Sequence, residues 1–123
     1  MFARPIIRRW NNRIVTPLEA FDVLDIRVGR IVRAEPNEKA RKPAYRLWID
    51  FGELGTKTSS AQLTVYYDPD GLVGRLVIAA VNLGTRVVAG FASEVLVLGV
   101  PDEDGAVVLL HPDQEVPLGG RVF

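Results

Sequence analysis

The sequence has no cysteine and a single histidine, His111, among its 123 residues. The lack of cysteine excludes disulfide bonds, zinc–thiolate sites and a thiol nucleophile. One histidine cannot form a multi-histidine metal site, and its place beside Pro112 is typical of an ordinary surface position. No apolar run reaches the roughly 18 residues that a membrane helix needs. We therefore predict a single-domain, cytoplasmic protein that has no metal or cofactor and is not inserted in a membrane.

Charge is distributed unevenly along the chain, although the formal net charge is zero. Residues 1–18 carry four arginines and no carboxylate, whereas residues 19–123 carry 11 Lys and Arg against 15 Asp and Glu. A protein that binds nucleic acid by counterion release normally has a basic body. Any nucleic-acid binding must here depend on a local patch or on the N-terminal arm. We predict that residues 1–15 form a flexible basic arm and that residues 16–123 form the folded domain.

Short apolar segments separated by turn residues predict an all-β barrel with one short helix. Thr16, Pro17 and Glu19 form a capping-box pattern, which predicts a helix that ends near Leu24. Tight turns are predicted at 68–71 and 101–105. The predicted strands span residues 25–35, 45–52, 57–65, 74–83, 93–100 and 106–112. This organisation fits a small Greek-key barrel.

The first two strands show the period-two alternation of a half-buried sheet. In the first strand, Ile26, Val28 and Val32 are expected on one face, and Gly29 is expected to allow a bulge. In the second strand, Trp48 is expected on the outer face. The opposite face of that strand consists of Tyr45, Leu47, Ile49 and Phe51.

Two segments, 76–81 and 94–100, are apolar at nearly every position, so both of their faces should be covered. One face fills the barrel, and the other must meet a second surface. The helix and the C-terminal tail could supply that surface, or a partner subunit could. We favour a homodimer because residues 107–110 and 117–123 add more apolar surface than one small barrel can hide.

No pattern typical of catalysis occurs in the sequence. The acidic residues at 68–71 and 101–105 lie in turn sequences, where solvated carboxylates are expected. Ser59 and Ser60 lack a nucleophile-elbow pattern, and no phosphate-binding glycine loop of the Walker type is present. We therefore predict that the protein is not an enzyme.

Small polar residues between the strands predict a binding surface instead. Hydroxyl, amide and cationic groups suit contacts to phosphates or base edges, and they suit a peptide backbone equally well. Trp48 and Phe91 would supply apolar contacts. Alternatively, Asn82 and Gly84 only form a turn and the serines only satisfy strand ends. The candidate polar residues are Lys57, Ser59, Ser60, Gln62, Asn82, Arg86 and Ser93.

Several segments resemble the tRNA-binding domain family, which includes free-standing bacterial tRNA-binding proteins and a domain appended to some methionyl-tRNA synthetases. These segments are DIRVGRIVRAE, RKPAYRLWIDFG, KTSSAQ, GRLVIAAVNL and AGFASEVLVLG. The stretches SSAQ, SEVLVLGVP and VVLLHPDQEVPLGGRV are most similar to its CsaA branch, described as an export-related chaperone. The likeness covers residues 17–122. It implies a five-stranded OB-fold barrel with C-terminal extension strands that forms a homodimer.

The resemblance also implies a ligand. A CsaA-like protein would bind unfolded or export-destined polypeptides without ATP, and the alternative is a structure-specific tRNA-binding protein. Lys57, Ser59, Ser60, Asn82, Arg86 and Ser93 match polar or basic site positions of the family. The chain departs from the family at Gly84, where many members have lysine, and at Glu94. Both differences predict a weaker attraction for phosphate.

Overall fold

The structure is a computed structural model that describes residues 8–10 and 13–123. In chain order its elements are β1 (Arg8–Trp10), β2 (Arg13–Val15), α1 (Pro17–Val23), β3 (Ile26–Pro36), β4 (Tyr45–Asp50), a 3-10 turn (Gly52–Leu54), β5 (Thr56–Ala61), α2 (Pro69–Leu72), β6 (Leu76–Ala80), β7 (Arg86–Val88), β8 (Phe91–Ser93), β9 (Leu96–Val97), β10 (Gly99–Pro101) and β11 (Val107–Leu109). The strands β1 and β2 pair antiparallel. The predicted arm lies partly outside the described residues, and its flexibility stays a prediction.

The predicted capping box starts α1. Thr16 Oγ1 accepts a hydrogen bond from the Glu19 N–H at 3.2 Å, and Pro17 occupies the first helical position, where its missing N–H is not needed. The helix ends at Val23, one residue before the predicted end. In the described ranges, neither α1 nor α2 has the length and hydropathy of a membrane-spanning helix.

Five strands form an antiparallel sheet in the order β5-β4-β3-β6-β9. The long strand β3 joins the two halves, since its residues 30–36 pair with β4 and its residues 26–30 pair with β6. The remaining seam is bridged where the N–H groups of Glu94 and Val95 donate to Thr58 O at 2.8 and 3.1 Å. The result is a nearly closed barrel, so the predicted five-stranded barrel is confirmed.

The barrel interior is the hydrophobic core, and β4 supplies much of it. Its predicted alternation is confirmed, because Leu47 and Ile49 are fully buried while Trp48 points outward and is only half-buried. Other strands and connections add further apolar side chains. The buried members include Ile31, Tyr45, Phe51, Leu63, Leu72, Val77 and Val95.

The bulge predicted at Gly29 occurs further along β3. The pairing with β4 shifts register between Ile31 and Arg33, so Val32 is the extra residue. Ile31 is therefore fully buried, whereas Val32 is 46% exposed. The prediction that Val32 shares a face with the buried Val28 is wrong, because one inserted residue reverses the alternation.

Two further local predictions need correction. Residues 68–71 do not form a simple tight turn but begin the helical turn α2, where Asp68 Oδ1 accepts a hydrogen bond from the Gly71 N–H at 2.6 Å. The strand predicted over 93–100 is divided among the end of β8, β9 and β10. Strand β10 leaves the barrel and pairs with β11. The predicted turn at 101–105 joins them, and Asp102 accepts hydrogen bonds from the N–H groups of Asp104 and Ala106.

The C-terminal tail returns to the start of β3. Backbone hydrogen bonds of 2.8 to 2.9 Å join Gly119 and Gly120 to Val28, and Val122 to Ile26. The tail thus pairs with the first residues of β3. The homodimer stays a prediction.

Candidate ligand groove

A groove of about 740 Å³ lies between the β3–β4 connection and the β7–β8 hairpin. In OB-folds, the loops at the corresponding positions commonly frame the ligand site. Polar lining residues are Ser60, Gln62 and Ser93, and the larger apolar ones are Leu83, Val87, Val88, Val95 and Leu96. Four basic residues also line the groove, and we call them the groove cations: Lys39, Arg41, Lys42 and Arg86.

Asn37 joins the two walls of this groove. It is 6% exposed, and its Nδ2 donates to Val88 O at 3.4 Å across 51 residues of sequence. Its Oδ1 accepts a hydrogen bond from the Lys39 N–H at 3.2 Å, and its own N–H donates to Ala44 O at 2.9 Å. A buried amide with these partners holds the cationic loop against the hairpin.

The hairpin that forms the second wall turns through two residues, Ala89 and Gly90, between the paired Val88 and Phe91. The φ angles of Ala89 and Gly90 are 48° and 79°. Positive φ at both central positions is the geometry of a type I′ turn, which matches the twist of the flanking strands. Glycine adopts it freely, whereas alanine is strained there.

The groove cations have no acidic partner within the part of the chain that the structure describes, where the ion pairs involve other arginines. Glu94, the acidic residue nearest in sequence to the groove residue Ser93, is held at the barrel seam. Its Oε1 accepts a hydrogen bond from the Thr58 N–H at 3.0 Å and lies 2.9 Å from Thr58 Oγ1. The groove therefore presents uncompensated positive charge beside an apolar floor.

Four of the predicted site residues meet in the groove, namely Ser60, Gln62, Arg86 and Ser93. The Ser93 hydroxyl accepts a hydrogen bond from the Ser60 N–H at 2.9 Å, which brings β8 against β5. Lys57 is half-buried on β5 and does not line the groove.

Two other predicted residues, Ser59 and Asn82, lie away from the groove. Ser59 is opposite Leu47 and is completely buried, and its hydroxyl has no hydrogen-bond partner among the described residues. The Asn82 amide accepts from the Asp25 N–H at 2.9 Å and donates to Val23 O at 2.8 Å. It ties the end of α1 to the start of β3.

Trp48 and Phe91 form an aromatic cluster on the outer face of the barrel, and neither lines the groove. Their rings pack edge to face with centroids 5.4 Å apart. The Arg33 guanidinium lies 4.3 Å from the Trp48 ring centre, and that of Arg46 lies 5.8 Å from the Phe91 ring centre. Both arginines pair with Glu35, at 2.8 and 2.5 Å. Both cluster arginines therefore have an acidic partner, and the single carboxylate leaves one positive charge in excess.

The sequence interpretation missed the cations of the β3–β4 connection. The charged loop of residues 36–44 contains Lys39, Arg41 and Lys42 against Glu38 alone. This local excess of positive charge, in the first interstrand loop of an OB-fold, was the available signal. The role of Asn37 had no such signal, because its partner Val88 is remote in sequence.

One titratable pair lies outside the groove. The Tyr66 hydroxyl donates a hydrogen bond to the Asp102 carboxylate, which raises the pKa of Tyr66 and lowers the pKa of Asp102. The bond ties the segment after β5 to the β10–β11 turn. Among the described residues, no group of three His, Asp or Glu side chains converges to hold a metal ion.

Residues 26–121 match the family model described as "Putative tRNA binding domain". The chain is 36% identical over 108 residues to a methionine–tRNA ligase of Methanosarcina mazei, an alignment that covers 88% of this chain and 15% of the ligase. It thus spans about 15% of the length of this curated relative.

Two solved structures are similar over most of the chain. The chaperone CsaA of Bacillus anthracis strain Ames is 50% identical with a TM-score of 0.83, covering 89% of this chain and 99% of that one. The CsaA chaperone protein of Picrophilus torridus is 44% identical with a TM-score of 0.81, covering 89% of this chain and 100% of that one.

Proposed function

Since this chain belongs to the tRNA-binding domain family, we propose that it is a non-catalytic binding module that holds unfolded, export-destined polypeptides without ATP. The two solved structures described above both carry the name chaperone CsaA. The observation that carries the proposal is the groove itself, in which uncompensated cations face an apolar floor.

This combination of surfaces suits an extended polypeptide segment. Unfolded chains expose apolar side chains that a native protein buries, and these side chains would contact Leu83 and Val87, which line the groove and are 55% and 75% exposed. Acidic side chains of the same segment would meet the groove cations. The groove therefore favours segments in which apolar and acidic residues are mixed.

The test compares an unfolded protein with its native form. Fluorescently labelled α-lactalbumin, reduced and carboxymethylated so that it stays unfolded, is titrated with the protein, and anisotropy is measured. We expect the unfolded form to bind, with part of the affinity surviving 0.5 M salt because apolar contacts are not screened. Native α-lactalbumin is the control and should not bind. Equal binding of both forms, or binding of neither, contradicts the proposal.

A second candidate function is the binding of tRNA, which the unpaired groove cations favour. Four cations that neutralise phosphates of a single-stranded segment predict a log–log salt slope of about −3. The chain outside residues 1–18 has an excess of four acidic residues, and Gly84 adds no charge to the groove. These features favour polypeptide over tRNA.

A competition separates the two functions. Transfer RNA is added to the complex with unfolded α-lactalbumin, and each ligand is also titrated alone over a range of salt. If tRNA binds tightly with a steep salt slope and the unfolded protein does not bind, the second function replaces the first. If both bind and tRNA displaces the unfolded protein, the groove serves both ligands.

We also propose that the protein is a homodimer through an apolar patch formed by Leu96, Val100, Val108 and Leu110. Val100 and Val108 are cross-strand partners in β10 and β11, and all four residues are between 38% and 51% exposed. Isologous pairing of such a patch buries it. Sedimentation equilibrium should give a dimer for the wild type and a monomer for Val108→Glu. The matched control is Val65→Glu, because Val65 is an exposed valine outside the patch. The assignment of the patch is contradicted if both variants are monomers or if both stay dimers.

A further inference from the structure

We propose that the polypeptide ligand binds as an added β-strand on the free edge of β7. This inference rests on the proposed polypeptide-binding function and specifies how the groove would perform it. The ligand would be an extended segment in which apolar and acidic residues alternate. Its backbone would pair with β7, and its acidic side chains would meet the groove cations.

The pairing of the hairpin leaves one set of β7 backbone groups free. Val88 and Phe91 close a two-residue turn, so they exchange both backbone hydrogen bonds, and Arg86 with Ser93 is the next bonded pair. The intervening Val87 directs its N–H and C=O away from β8. Within the described part of the chain, these two groups have no other hydrogen-bond partner.

This free edge lies inside the groove. Val87 lines it, and its side chain is 75% exposed. An exposed edge strand with apolar side chains is a template for pairing with another chain, and such strand addition is a common mode of peptide recognition.

The neighbouring edge of β5 is already occupied. The Glu94 carboxylate accepts the hydrogen bond of the Thr58 N–H, and the Ser93 hydroxyl accepts that of the Ser60 N–H. Side chains of the same chain therefore cap β5 on this side. Because β5 is capped and Val87 is not, an incoming strand would pair with β7.

The charges around the edge determine the ligand's composition. Lys39, Arg41 and Lys42 stand on the wall opposite β7 without an acidic partner in the described ranges. Side chains of an added strand point alternately to its two faces. Acidic residues at every second position complement the cations, and apolar residues at the others contact the floor.

Backbone methylation of a peptide tests the proposal directly. The probe is a fluorescein-labelled nine-residue peptide of alternating valine and glutamate, measured by anisotropy. Two derivatives carry N-methyl groups on the valine amides or on the glutamate amides. Only one set of amides faces β7 in an added strand, so one derivative should bind about fivefold or more weakly, as expected for at least one lost hydrogen bond. The other should bind within twofold of the parent.

A variant of the protein gives the complementary result. Val87→Pro removes the outward N–H without touching the ladder with β8, and proline is tolerated at such edge positions. We expect about fivefold weaker peptide binding, because one hydrogen bond to the peptide backbone is lost. Val87→Thr is the comparison variant, because it keeps the N–H and the β-branched shape, and it should bind the peptide more tightly than Val87→Pro does. Circular dichroism checks that each variant folds. If Val87→Pro does not fold, the methylated peptides alone test whether the ligand pairs with β7.

The outcomes distinguish this inference from the proposed function. If wild type binds the peptide and both methylated derivatives bind equally well, strand addition is wrong and polypeptide binding stands. If wild type binds neither the peptide nor unfolded α-lactalbumin, both proposals are wrong.

Discussion

Two groups of cations lie near one another on this barrel, and they differ in what surrounds them. Arg33 and Arg46, in the aromatic cluster, pair with Glu35 and pack against Trp48 and Phe91. The groove cations have no such partner among the described residues. A charge that is paired and stacked stabilises the folded chain, whereas a group of unpaired like charges repel one another until a ligand neutralises them. The comparison assigns the first group to structure and the second to binding.

The largest expected effect is on the affinity of the groove. Replacing Lys39, Arg41 and Lys42 together with glutamine should weaken binding of unfolded α-lactalbumin by about 10- to 100-fold, because each lost charge contact contributes roughly 0.5 to 1 kcal/mol. The urea midpoint should not fall, since these side chains have no partners to lose and their mutual repulsion is relieved. The matched control is Arg33→Gln with Arg46→Gln, which should lower the midpoint and leave the affinity within twofold. The reverse pattern contradicts the comparison.

The second-largest effect is expected on stability, when Glu35, the acid that pairs with both Arg33 and Arg46, is replaced. Glu35→Gln removes the charge that Arg33 and Arg46 share, and Arg46 already has a buried Nε without a hydrogen-bond partner in the described part. We expect the free energy of unfolding, measured by urea titration, to fall by about 1 to 2 kcal/mol. Affinity for unfolded α-lactalbumin should stay within twofold. Glu53→Gln is the matched control, because Glu53 is exposed and takes part in no ion pair among the described residues. A loss of affinity without a loss of stability would place Glu35 at the ligand.

A smaller effect concerns the aromatic pair. Trp48→Ala, Phe91→Ala and the double variant form a cycle in which we expect a coupling of about 0.5 to 1.5 kcal/mol in stability, because the rings contact edge to face. Binding of unfolded α-lactalbumin by the Trp48 variant should change less than threefold. A large loss of affinity with unchanged stability would instead extend the ligand surface from the groove onto the aromatic cluster.

The smallest effect is expected at the turn of the hairpin. Ala89→Gly removes the strain of alanine at a positive φ angle, but glycine loses more backbone entropy on folding. The net result should be a stabilisation of about 0.5 kcal/mol. Gly90→Ala, at the next position of the same turn, should destabilise it by about 1 kcal/mol. Thermal unfolding measures both variants. Stabilisation by Gly90→Ala would show that the turn differs from the one described.

The barrel was predictable from sequence where the signal was local. The alternation of Leu47, Trp48 and Ile49 predicts which face of β4 is buried, and Thr16 with Glu19 predicts the start of α1. Gly29 misled the prediction of the bulge, because a glycine can serve close packing as well as bending. A Cβ at residue 29 would lie 2.6 Å from Ile49 Cγ2, so close packing is its role here.

Only some of the groove residues could be predicted from the sequence, and the reason is geometric. Ser59 and Ser60 are adjacent on a strand, so they must point to opposite faces, and only Ser60 reaches the groove. The cations of the β3–β4 connection reach it through the bond between Asn37 and Val88, which joins distant parts of the sequence. A single sequence contains no record of such a contact.

The central claim is that an unfolded polypeptide binds between the β3–β4 connection and the β7–β8 hairpin. The most direct measurement is a ¹⁵N NMR titration of the protein with unfolded α-lactalbumin. We predict that the amide signals of residues 37–44 and 85–90 shift, while those of residues 46–50, on the strand that carries Trp48, do not. Shifts confined to residues 46–50, or to residues 99–110, would contradict the assignment of the groove.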